Sequence, residues 1–409
     1  MGCFGETKKP SSFRARLYAE SYEPLREYVA LEFSIPEEME VTVYRREVEG
    51  FIFDYHAKEF FDGMSPDEND VIYRGKLTPV YSFAEYKDYD IEIGKIYAYW
   101  VATDKERKTG PAPVKIRDSR VWWHFDKIMK EMQDLKDKYP DVELISVGET
   151  VEHRPLVTIL AGNRENMIGC MGNVHAGESG AEICLTTLRY ILENHPDLLQ
   201  KTGIAVLPSV NADMREEMAT GAPWYLRINK NYVDINRNFS VDWDEVTHGY
   251  GISSDDPRSV TYRGRYPESE PETKAIMKFA ELINPKIILS YHALCSVTCD
   301  NMLTARAFLE DEVRNGEVEG MFRAYSDAFR KGMDMPPREG KILNPGCFPG
   351  GFVRWAQTKG ICAADLELSL GGNLDYFDTS RKDKTDFEML DKNIGMHRNG
   401  IIALMEHLM

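Results

Sequence analysis

Residues 172 to 182 read GNVHAGESGAE, with His175 and Glu178 three apart on a glycine-rich bend. An imidazole nitrogen and a carboxylate oxygen are donors that a zinc ion takes at about 2 Å, and one turn of chain brings both to one side. Two donors do not hold a catalytic ion, so a third must come from a distant part of the chain. His292 is the candidate, because it closes the apolar run KIILSY and so sits at a strand end. The remaining histidines, His56, His124, His153, His195, His248, His397 and His407, are assigned to the surface or to packing. Two further groups carry chemistry. Asn236 and Arg237 stand side by side in VDINRNF, and a guanidinium offers a rigid fork of donors suited to a carboxylate. Asp365 and Glu367 alternate in DLEL. On a strand they share one face, and a carboxylate beside a metal can take a proton from water and return it to a leaving amine.

Those groups need strand ends to hold them. LVTILAG, IGCMGNV, GIAVLPSVN, KIILSYHAL and GICAADLEL read as strands, and AEICLTTLRYILEN and SEPETKAIMKFAELI as helices. The second helix opens on a Ser269/Glu272 capping box with proline in its first turn. An earlier helix is expected from Trp122, Phe125, Met129, Met132 and Leu135, capped by Ser119 or Asp118. This alternation predicts an α/β domain from 118 to 409 with a mixed, mostly parallel sheet flanked by helices. In such sheets ligands gather at strand ends where the strand order switches. Residues 1–117 read differently. VTVYRRE alternates, as does DIEIGKIYAYWVATD on either side of Gly94, and TGPAPVKIRD reads as a proline-containing edge. A small all-β sandwich is expected there. YKDYDIEIGKIYAYWVATDKERKTGPAPVKI resembles the end of a fibronectin type III module, and no catalytic cluster lies in that region.

The order of motifs says more. SVGETVEHRPLVTILAGN precedes the histidine–glutamate pair, and SVNADMRE, LRINKNYVDINRNF, YRGRYPESEPETKAI, SYHA, GGFVRWAQTKG and DLEL follow it. Over residues 120–409 this succession resembles the M14 family of zinc carboxypeptidases. The resemblance implies an eight-stranded sheet and one zinc ion per chain on His175, Glu178 and His292. It implies that Asn236 and Arg237 clamp the free C-terminal carboxylate of a peptide substrate, and that Arg227 polarises the scissile carbonyl and stabilises the oxyanion. It favours Glu367 over Asp365 as general base and acid. The LRINKNYVDINRNF spacing is similar to that of the murein-peptide amidase branch. In GGFVRW, Val353 is placed at the floor of the specificity pocket, and Arg354 beside it is either a contact for an acidic or zwitterionic end group or a solvated surface residue. A γ-D-glutamyl bond to diaminopimelate is one such substrate. Gly177 stands where many digestive members carry arginine, and Ala293 where serine is common. NPGCFPGGF holds Phe348, and no tyrosine, where a mobile tyrosine is found in the family.

Bulk properties narrow the alternatives. A net charge of −17 over 409 residues argues against a nucleic-acid binder. No apolar run reaches the roughly eighteen residues of a membrane span. MGCFGETKKP lacks the pattern of a secretion signal, and Glu6 stands where a myristoylation signal wants Ser or Thr. Seven scattered cysteines make no disulfide framework, so a cytoplasmic location is expected. Cys295 and Cys299 near His292 read as free buried thiols rather than metal ligands. Two other functions stay open at this point: an aspartoacylase-like N-acyl amino-acid deacylase, and an inactive binding protein. Cobalt and nickel also suit a His2Glu set.

Overall fold

Alternating apolar residues in the first part of the chain do build strands. The structure is a computed structural model that describes residues 11–19, 26–49, 60–103, 108–178, 180–223, 226–246, 253–293, 302–304, 312–332, 334, 336–337, 339, 343–345, 348–368 and 387–409. These form two compact units, one within residues 11–122 together with 217–223, the other from the remaining described residues.

The first unit holds β1 Ser11–Ala19, β2 Glu27–Ser34, β3 Met39–Val48, β4 Val71–Leu77, β5 Phe83–Asp88, β6 Ile96–Ala102 and β7 Lys108–Lys115. They pair antiparallel as a three-stranded sheet, β1-β2-β5, and a four-stranded sheet, β4-β3-β6-β7. Leu17, Val29, Leu31 and Phe33 from one sheet share a core with Val41, Val43, Tyr99, Val101 and Val114 from the other, which makes the expected sandwich. The alternation expected around Gly94 gives way to a fully buried β6. Its second face packs Ala98, Trp100 and Ala102 against Tyr44, Val48 and Phe61. A strand covered on both faces needs no polar side. The proline-containing segment is β7, at the sheet edge, where a missing N–H costs no ladder bond.

The second unit holds β8 Glu143–Glu149, β9 Pro155–Ala161, β10 Met167–Met171, β11 Gly203–Leu207, β12 Ile287–Ala293, β13 Met302–Thr304, β14 Leu343–Pro345 and β15 Cys362–Leu368. One eight-stranded sheet contains them all, in the order β14-β13-β15-β12-β10-β11-β9-β8. Its centre, β15-β12-β10-β11, is parallel, while β8, β9 and the β13/β15 pair run antiparallel. The strand order therefore switches at β10, which has β11 on one side and β12 on the other.

Helices α1 Phe125–Lys138, α2 Gly180–Asn194, α3 Pro196–Leu199, α4 Ala212–Ala219, α5 Pro271–Ile283, α6 Glu312–Lys331, α7 Phe352–Thr358 and α8 Phe387–His407, with two short turns of 3-10 helix, Glu68–Asp70 and Ile235–Arg237, complete the described elements. Ile276, Phe279 and Ile283 of α5 and Phe352 and Trp355 of α7 pack on Leu160, Met171, Leu207 and Ile288 of the sheet. Each such side chain contributes roughly 1.5–3 kcal/mol on full burial. Two expected caps are corrected. The first residue before α1 is His124, without a side-chain cap. The Trp123 and Phe125 N–H groups instead donate to the Glu182 and Glu216 carboxylates, and Asp118 binds Arg120. The cap position of α5 is Glu270, again without a side-chain cap, and Glu272 is fully buried and accepts from Asn229.

Candidate functional site

The bend after β10 is narrow because two glycines close it. A Cβ on Gly172 would sit 2.5 Å from the Gly180 carbonyl carbon, and one on Gly180 would sit 2.4 Å from the Gly172 Cα. Only backbone fits at that neck, so the chain leaves β10, turns through His175 and Glu178, and enters α2 at once. Asn173, at φ 50°, donates its side-chain amide to the Glu178 carbonyl. Arg215, fully buried, donates to the Ala176 and Glu178 carbonyls at 3.2 and 3.0 Å and to the Glu182 carboxylate. Reading the sequence passed over Arg215, although it lies in the quoted SVNADMRE segment.

His292 arrives from β12, two residues past Ser290, whose partner on β10 is Met171. The three expected ligands meet. His175 Nδ1 lies 3.0 Å from Glu178 Oε1 and 3.2 Å from His292 Nδ1, and His292 Nδ1 lies 3.3 Å from Glu178 Oε2. All three residues are buried. A tetrahedral ion with ligands at about 2.0–2.2 Å has ligand-to-ligand edges of roughly 3.3–3.6 Å, and these contacts, which use both Glu178 oxygens, are close to that spacing.

The outer ring nitrogens support the same reading. His175 Nε2 lies 3.1 Å from Asp234 Oδ1. His292 Nε2 lies 2.8 Å from Ser290 Oγ and 3.4 Å from Asp365 Oδ1. With each ring's proton on Nε2, toward these outer acceptors, Nδ1 is the nitrogen left to face a metal. Two lone pairs and a carboxylate then share one buried point, an arrangement that a cation stabilises. The electrostatics agree in sign. Burial pushes the Glu178 carboxyl up, but His292 and His175 outweigh it and bring it to about 2. Burial pushes His292 down, but Glu178 and Asp365 raise it well above the ordinary imidazole value. Two imidazoles and a carboxylate that converge at one buried point fit a zinc ion.

Asp234 organises the neighbouring groups and was not singled out from the sequence. It is fully buried and caps the short turn Ile235–Arg237 by accepting from the Asn236 N–H at 3.0 Å. Its Oδ2 accepts from Arg227 Nε at 2.8 Å. Burial raises its carboxyl, yet Arg227, Arg237 and His175 hold it well below the usual range. Asking which carboxylate orients His175 would have pointed to it.

Asn236 and Arg237 follow on that turn. Asn236 Nδ2 donates to Asp365 Oδ2 at 3.1 Å, and its Oδ1 accepts from the Phe352 N–H at 2.8 Å. Buried Arg237 donates from Nη1 to the Asn236 carbonyl at 2.7 Å, and its guanidinium lies 4.2 Å from the centre of the Phe348 ring. Phe348, which has no hydroxyl to donate, thus contributes a ring face. Arg354 on α7 pairs with Asp242 at 2.6 Å and lies 3.6 Å from Glu245. Val353 packs in the core with Phe352 and Trp355. Glu367 lies on β15 with its Cα in register beside His292, and its side chain is outside the described set. Cys295 and Cys299 also lie outside the described residues. The described Cys170, Cys184 and Cys362 are buried and form no disulfide. No described helix is long and apolar enough to cross a membrane.

Comparison with known proteins points the same way. The sequence pattern of the family described as "Zinc carboxypeptidase" matches residues 128–387. Human mast cell carboxypeptidase A is 28% identical over 190 residues, 42% of this chain and 44% of that protein. Mouse carboxypeptidase A4 is 26% identical over 228 residues, 50% of this chain and 53% of that one. The chain spans about half the length of the curated relatives it matches. Among solved structures, bovine thrombin-activatable fibrinolysis inhibitor in complex with tick carboxypeptidase inhibitor superposes with a TM-score of 0.57 at 20% identity, covering 71% of this chain and 98% of that one. A carboxypeptidase A from Helicoverpa armigera gives 0.55 at 17% identity, covering 71% and 75%. At these identities the structures speak for the fold.

Proposed function

Because the chain belongs to the zinc carboxypeptidase family, we propose that it hydrolyses the C-terminal amide bond of a peptide with a free terminal carboxylate. The observation that carries this reading is the triangle of His175, Glu178 and His292 with Arg227 joined to it through one buried aspartate. Those three residues would hold one zinc ion per chain, which supplies a Lewis acid at the scissile carbonyl. Arg227, held by Asp234, places a fixed cation where negative charge develops on the carbonyl oxygen. Arg237 and Asn236 receive the terminal carboxylate through a fork of donors. Glu367 takes a proton from the attacking water and passes it to the leaving amine. Its place in β15 beside His292 supports that role.

Murein peptides, such as a γ-D-glutamyl-diaminopimelate unit, are the substrate class suggested by the RxNxxxVDxNRNF spacing. Arg354 would meet an acidic end group by exchanging Asp242 for it. A reducing, cytoplasmic setting accords with the absence of a disulfide among the described cysteines. The assignment of residues 1–117 as a fibronectin type III-like domain and 118–409 as the catalytic domain belongs to this proposal.

The test is a substrate panel on purified, metal-analysed protein. Peptides with a free C terminus and murein tripeptide should be cleaved, while C-terminally amidated peptides should be cleaved poorly. Glu367→Gln should lower turnover by about a hundred- to ten-thousand-fold and keep its zinc. Cleavage confined to N-acyl amino acids would make the protein a deacylase, and zinc loading without any turnover would make it a binding protein.

A further inference from the structure

Asp365 sits on β15 in register beside Ser290 of β12, and its two oxygens serve different neighbours. Oδ2 accepts from Asn236 Nδ2 at 3.1 Å, and Oδ1 lies 3.4 Å from His292 Nε2. The residue is 5% exposed. Asn236 holds Oδ2 by a hydrogen bond, while Oδ1 makes none and faces the outer nitrogen of His292, which Ser290 Oγ contacts at 2.8 Å; a carboxylate so buried needs such neighbours, and here they belong to two different subsites. The strand fixes the backbone of Asp365, since β15 is laddered to β12 on one side and to β13 on the other.

We propose that Asp365 is a positioning residue shared by the metal subsite and the anion subsite. It rests on the carboxypeptidase reading and deepens it. At His292, the Asp365 charge 3.4 Å from Nε2, beside Ser290 Oγ at 2.8 Å, favours the proton on Nε2 and leaves Nδ1 to face Glu178 and His175. At Asn236, the amide is pinned from both ends, by Phe352 N–H at Oδ1 and by Asp365 at Nδ2. The amide nitrogen carries two protons; Asp365 takes one and thereby sets the direction of the other. One carboxylate thus orients a metal ligand and a group that meets the substrate's carboxylate. The two subsites are then linked: a loss at Asp365 weakens both, and a change at Asn236 reaches the metal without touching a ligand.

Asp365→Asn tests this, because asparagine keeps the size but has one acceptor oxygen and no charge. Zinc affinity is read by chelator competition, without turnover. Steady-state kinetics at saturating zinc then compare a free-carboxylate peptide with its amide. The expected result is a zinc affinity weaker by about tenfold to a hundredfold. It is joined by a raised KM for the free acid, a smaller change in kcat, and little change for the amide. If neither quantity moves, or only one does, the shared role is overturned. Should Asp365→Asn fail to fold, Asn236→Ala reads the link from its other end. It should weaken zinc affinity although Asn236 touches no metal-facing atom, and an unchanged affinity overturns the proposal. A wild-type chain that binds no zinc overturns the functional reading and this inference with it. Wild-type activity with an uncoupled Asp365 overturns the inference alone.

Discussion

His175 and His292 present Nδ1 to one point, 3.2 Å apart, yet they are held there in different ways. His175 stands on a bend. It depends on the Gly172/Gly180 neck, on Arg215 gripping two loop carbonyls, and on Asp234 at its outer nitrogen. His292 stands in a strand. Its backbone is set by the ladder with β15, and Ser290 and Asp365 attend its outer nitrogen. A ligand on a bend needs several distant side chains to fix its position, whereas a ligand on a strand inherits most of its position from backbone pairing. The bend should therefore be the more easily broken half of the site.

The largest effect falls on that half. Arg215→Met leaves the Glu182 carboxylate buried without its cation and frees two loop carbonyls. Breaking a buried ion pair from one side costs about 3–5 kcal/mol. Denaturant unfolding should show a loss of that order, and a loss below about 1 kcal/mol would mean that the bend holds itself. Asp234→Asn comes next. It weakens the acceptor at His175 Nε2 and the anchor of Arg227 together, so zinc affinity should fall by about tenfold to a hundredfold and turnover with it. Ser290→Ala, the matching change on the strand side, removes one neutral contact and should cost only about 0.5–1.5 kcal/mol. Equal losses of zinc from these two variants would erase the difference between bend and strand.

The three residues that converge, His175, Glu178 and His292, were legible in the sequence because their chemistry is local. Two donors lie three residues apart, and the third ends an apolar run. The core strands were legible for the same reason, as short apolar stretches bounded by glycine or proline. What sequence reading passed over depends on partners far along the chain. Asp234 and His175 are 59 residues apart, and Asn236 and Asp365 are 129 apart, so no spacing rule joins them. The start of α1 was misplaced because carboxylates from Glu182 and Glu216 do the work of a local cap. The alternation expected around Gly94 failed because β6 is covered on both faces. Edge strand β8, ELISVGE, mixes apolar and exposed positions and was not recognised as a strand.

The most direct test of the account is zinc content after equilibration with zinc and removal of excess metal. The wild-type chain should hold about one ion. His175→Ala, Glu178→Ala and His292→Ala should each hold little, because three donors that converge on one point leave an incomplete set when any one is removed. Full occupancy in all three variants would place the metal elsewhere and contradict the site.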